Sequence, residues 1–163
     1  MHTDAELSTN IRKYFNKKNV KLQISPPGNH RALKAERSIQ TVKNHFIAGL
    51  CTADPNYELQ DWDQLAEQAE LTLNLLRGSA LNPSISAWHQ IHGPFDWSST
   101  PLAPAGTKVV IHDRPNERAS WAPHGDDGYY IGPALDHYRC YKVLVTKTHA
   151  IRTTDTVECN ARR

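Results

Sequence analysis

Two carboxylates, Asp4 and Glu36, flank a strongly basic stretch that carries Arg12, Lys13, Lys17, Lys18, Lys21, Arg31 and Lys34. Acids on separate elements can converge on a divalent cation, and a basic surround suits a polyanion. Together these residue types point to phosphodiester chemistry on nucleic acid. Taken alone, two carboxylates so far apart in sequence are ordinary surface charges. The wider charge pattern adds weight. Residues 10–45 hold nine Lys/Arg and one acid, Glu36, whereas residues 53–71 hold six acids and no base, all within a net charge of +2. Such blocks suit one face for a polyanion and another turned away from it. They equally suit two solvated helix faces of opposite sign that pair with each other.

The elements that must position these residues are legible from periodicity. Leu7, Ile11, Tyr14 and Phe15 recur at helical spacing, which predicts an amphipathic helix over about residues 5–18. Residues 20–25 alternate apolar and polar and read as a strand, stopped by Pro26-Pro27-Gly28-Asn29. A second helix is expected from about Lys34 to Leu50, with Ile39, Val42, Phe46, Ile47 and Leu50 as its apolar stripe. A third is expected over about residues 59–76, and a short fourth from Ser84 to Gln90. After Asp96 the character changes. Pro101, Pro104 and Gly106 form a linker-like stretch, and short strands follow at 108–112, 128–132, 138–145 and 151–157. Strands at that spacing suggest a small barrel.

A chain of 163 residues suits one domain or two small ones. No apolar run approaches the roughly 18 residues of a membrane span, so no membrane partner is expected. Three cysteines, Cys51, Cys140 and Cys159, are odd in number and unpatterned. They argue against a disulfide framework and for an intracellular, reducing compartment. His137 and Cys140 have the spacing of half a zinc site, but no second pair lies nearby and a strand would point them to opposite faces. Trp62, Trp88, Trp97 and Trp121 are expected in core or linker packing, as are most of Tyr129, Tyr130, Tyr138 and Tyr141.

With these segments in order, the chain resembles a retroelement integrase of the retroviral and Ty1/copia type. The likeness is carried by Asp4-Ala5-Glu6, Pro26-Pro27, Asn29-His30 and Ala35-Glu36-Arg37, then by residues 71–76 and Asn82-Pro83. In the second half it is carried by Gly128-Tyr129-Tyr130-Ile131-Gly132-Pro133 and His137-Tyr138-Arg139-Cys140-Tyr141. The fold class this implies is α+β. Residues 1–95 would be the C-terminal half of an RNase H-like catalytic core, helices plus one strand, and residues 101–163 a small SH3-like β-barrel.

The resemblance also implies a site. The family holds two divalent metals, Mg²⁺ or Mn²⁺, with an Asp, Asp, Glu triad. Asp4 matches the second Asp and Glu36 the Glu, which makes both catalytic and metal-ligand candidates. The first Asp belongs on an upstream strand, and this chain begins three residues before Asp4. The expectation is therefore a catalytically incomplete fragment with weak or absent metal binding. Ala5 stands where the family usually has Asn, and Leu33 lies where a polar residue is usual. At about 100° per residue, Glu36, Gln40 and Lys43 share a helix face. By the resemblance Gln40 and Lys43 are DNA contacts. Lys34 and Arg37 suit phosphate, the common non-specific mode. The bland alternative is a solvated helix face.

The parent activity would be polynucleotidyl transfer, inserting element DNA into a chromosome. Its partners would be DNA and other integrase copies, in the nucleus if the source is eukaryotic. The alternative is a non-catalytic nucleic-acid-binding or interaction module, and a third is a product of a broken element with no selected role. Lacking upstream strands for residues 20–25 to pair with, the first half is expected to fold less well than the part beyond Pro101.

Overall fold

The computed structural model describes residues 2–3, 8–24, 34–113, 120–121 and 123–159. The chain is α+β and divides into two compact units, residues 1–44 and 45–163.

The first unit contains a βαβ crossover. Strand β1, His2–Thr3, pairs in parallel with β2, Gln23–Ile24, and helix α1, Thr9–Lys17, lies between them in the chain. Two paired strands therefore stand where one was expected. A two-residue strand carries no readable alternation, which is why β1 escaped the sequence reading. Helix α1 starts later than its apolar spacing suggests because Ser8 caps it, accepting a hydrogen bond from the Ile11 amide at 3.4 Å. It ends at Asn19, whose φ of +54° is the left-handed conformation that closes helices. Helix α2 spans Lys34–Leu50, as its periodicity predicts, and runs from the first unit into the second.

In the second unit the expected helix over 59–76 is two elements. Leu59–Leu65 is a 3-10 helix with a non-helical residue at Asp61, and α3 follows over Ala66–Leu76. The Tyr57 hydroxyl donates to the Asp61 carbonyl at 2.7 Å, so a side chain takes an acceptor that a continuous α-helix would use. Helix α4 covers Ala87–His92 with Ser86 as its cap. Its start is later than Ser84 because Asn82 accepts from the Ser84 amide in a turn of its own.

Five strands complete the unit: β3 Lys108–His112, β4 Gly125–Pro133, β5 Tyr141–Val145, β6 Ile151–Thr154 and β7 Val157–Cys159. They form one antiparallel sheet in the order β6-β5-β4-β3-β7. The outer strands β6 and β7 are joined only by Asp155 and Thr156. In a flat sheet their axes would lie about 19 Å apart, four spacings of about 4.8 Å. Three Cα steps reach about 11 Å at most. The sheet must therefore curl until its edges approach.

Its two faces bury different side chains. Val109, Ile111, Tyr130, Val143 and Val145 cluster on one. Tyr129, Ile131 and Leu144 cluster on the other with Tyr57 and Leu65, and Phe46, Leu50, Ala53 and Ala105 pack around them. The alternation of Tyr129, Tyr130 and Ile131 along β4 follows from the pleat. The linker is pinned rather than loose. Gly106 has a φ of +75°, and a Cβ there would sit 2.5 Å from the Ala53 Cβ.

The compact division differs from the boundary read at residues 95–101, because the 3-10 helix and α3 carry the covering layer of the sheet. No side chain of residues 8–22 or 34–56 is buried, and the buried ones begin at Tyr57. Of the α2 stripe, Phe46 and Leu50 pack, whereas Ile39, Val42 and Ile47 are exposed. Trp62, Trp97 and Trp121 are exposed, although Trp62 packs edge-on against Phe46 and Trp97 against Phe95. Tyr129 and Tyr130 are buried, and Tyr138 is exposed.

Candidate nucleic-acid interface

Of the expected acid pair, Asp4 lies outside the described residues. It follows β1 directly in sequence. Glu36 is half-buried in the first turn of α2. An acid there is favoured by the positive end of the helix dipole. Lys34, Arg37, Gln40 and Lys43 are all exposed on the same helix. The Gln40 amide is turned along it, donating to Asn44 Oδ1 at 2.8 Å, an i,i+4 pair. One of the two Gln40 amide hydrogens is thereby engaged.

The expected metals prefer hard oxygen donors. Among the described residues, no three His, Cys, Asp or Glu side chains come together. Glu36 is the one expected ligand with a described position. That donor set falls short of a two-metal centre, so no strand-transfer step is routed through it. Residues 137 and 140 lie in a turn rather than a strand, with the His137 amide donating to the Ala134 carbonyl at 3.0 Å and Arg139 at a φ of +53°.

Most basic residues fall into two groups, with Arg77 and Arg139 of the second unit exposed and outside any ion pair among the described residues. Arg12, Lys13, Lys17, Lys18, Lys34, Arg37 and Lys43 are exposed and form no ion pair among the described residues. The sheet's bases are paired. Lys108 meets Asp127 at 2.9 Å, Lys142 meets Glu67 at 2.8 Å, Lys147 meets Asp126 at 2.6 Å and Arg152 meets Asp113 at 3.5 Å. Hydrogen bonding to Asp127, and then its charge, raise the Lys108 pKa, and Asp126 does the same for Lys147.

No family model and no curated protein matches the chain.

The sequence reading missed this pairing. Asp126 and Asp127 are neighbours in sequence, yet one meets Lys147 on the turn after β5 and the other Lys108 on β3. Only strand register brings those partners together. No helix of the described residues is long and apolar enough to cross a membrane.

Proposed function

We propose that this chain is a fragment of a retroelement integrase of the retroviral and Ty1/copia type, and that it binds DNA through its first unit. In this reading residues 1–95 derive from an RNase H-like core and residues 101–163 from an SH3-like barrel. The parent reaction is metal-dependent strand transfer.

One observation carries the reading: Arg12, Lys13, Lys17, Lys18, Lys34, Arg37 and Lys43 are exposed and form no ion pair among the described residues, while Lys108, Lys142, Lys147 and Arg152 are engaged by acids. Phosphate binding needs cations whose charge is not already neutralised nearby. The βαβ crossover whose first strand ends just before Asp4 in sequence, and the return of β7 to β3 in a curled sheet, also support it. Binding by the sheet alone, as a separate module, has less support for the same electrostatic reason. An intracellular location, nuclear if the source is eukaryotic, belongs to the same proposal.

The test is equilibrium binding of the full chain to duplex DNA across a salt series, with and without Mn²⁺. Affinity should fall steeply and linearly on a log–log salt plot. Mn²⁺ should alter binding, and Glu36→Gln should abolish that alteration. Salt-independent binding, or a Mn²⁺ effect untouched by Glu36→Gln, would refute it.

A further inference from the structure

A second feature lies on the opposite charge block. Helices α3 and α4 and the end of β4 enclose a groove of about 190 Å³. Its lining joins the apolar Leu71, Trp88, Ile91 and Leu135 to polar side chains that include Glu67, Glu70 and His92. Ile91 is 76% exposed and Leu135 46%, so the apolar wall opens to solvent. Cofactor and drug-sized sites run from about 300 Å³ upward. This groove is smaller and suits a single large side chain, the usual anchor of a protein interface. Glu67 already holds Lys142, with Nζ 2.8 and 2.9 Å from its two oxygens. Glu70 is exposed and has no ion pair among the described residues. The groove therefore calls for one more cation, beside an aromatic or aliphatic anchor.

Helix α1 presents that combination. Tyr14 is 59% exposed and Ile11 47%, three residues apart on one face. Lys17 and Lys18 follow Tyr14 by three and four residues, so they share its side of the helix. Neither is ion-paired among the described residues.

We propose that the α3–α4 groove of one copy receives α1 of a second copy, with Tyr14 in the pocket and Lys17 or Lys18 against Glu70. This does not rest on the integrase reading. It has a consequence for it, however, because a lysine facing Glu70 is withdrawn from phosphate. DNA and self-association then compete.

Sedimentation velocity of the full chain tests the contact. Association should rise with concentration at low ionic strength and weaken as salt screens the pairs. Tyr14→Ser and Glu70→Lys each alter an exposed side chain, and each should weaken association about tenfold or more. Adding Lys17→Glu and Lys18→Glu to Glu70→Lys should restore it, which damage to the fold would not do. A labelled peptide of residues 8–20 should bind the wild-type chain and lose affinity for the Glu70→Lys variant. A chain that stays monomeric at every concentration overturns the proposal, whether or not it binds the peptide. So does association that survives both Tyr14→Ser and Glu70→Lys unchanged.

Discussion

Tyr130 donates its hydroxyl to Oε1 of Gln68 at 3.0 Å, and both side chains are buried. Gln68 Nε2 in turn donates to the Ala103 carbonyl at 2.9 Å. One amide thus ties α3 to the centre of the sheet and to the linker before β3. Burial raises the Tyr130 pKa well above that of a free phenol, so the hydroxyl remains a donor across the accessible pH range.

The first prediction concerns that tie. Tyr130→Phe leaves Gln68 Oε1 buried without its donor, at a cost of about 1–3 kcal/mol. Gln68→Ala should cost at least as much, since it strips partners from both Tyr130 and Ala103. Because the groups share one network, the double variant should lose less than the sum. Urea unfolding would show a lowered midpoint with an unchanged slope. A Tyr130→Phe midpoint equal to wild type would mean the bond contributes nothing.

The second concerns alkaline pH. Burial, followed by the charges of Asp61 and Asp63, pushes the Tyr57 pKa up from 10.0 to about 12. The folded state therefore holds this proton more tightly than the unfolded chain. Its stabilising contribution is complete below pH 10 and is lost as pH rises from 10 to about 12. Burial raises Tyr129 in the same direction. Stability should fall across this window, and the fall should be shallower in Tyr57→Phe. Parallel profiles for the two proteins would contradict the assignment.

DNA binding supplies the third. Arg37→Ala and Lys43→Ala should each weaken duplex binding and lower the salt slope by about 1. Lys108→Ala and Lys147→Ala should leave both unchanged, because Asp127 and Asp126 already neutralise those ammonium groups. The reverse ranking would move the interface to the sheet.

Proteolysis gives the fourth. No side chain of residues 8–22 or 34–44 is buried, and the buried clusters draw on Tyr57, Leu65 and the sheet together. Limited digestion should leave a resistant fragment that keeps the 3-10 helix and α3 with the sheet. A resistant fragment beginning near Pro101 would show that the covering layer is not integral to the fold.

The amino-acid sequence on its own determined the local elements. Helix α2 matches its predicted span because seventeen residues carry several turns of consistent spacing. Strand β3 matches because Lys108–His112 is built around three consecutive β-branched residues, Val109, Val110 and Ile111, which favour extended backbone. The opposed charge blocks were equally plain, since charge needs no fold to be counted. Tertiary structure decided what these elements pack against. The 3-10 helix and α3 read as part of the first half, yet their apolar faces lie on the sheet, a contact between residues such as Leu65 and Leu144 that no local pattern encodes. It also decided which lysines are spent. Lys142 and Lys43 are alike in sequence, but pairing across 75 residues gives Lys142 to Glu67 and leaves Lys43 exposed. Periodicity reports the face an element must bury, whereas the partner for that face and the charges it neutralises are set by contacts between residues distant along the chain.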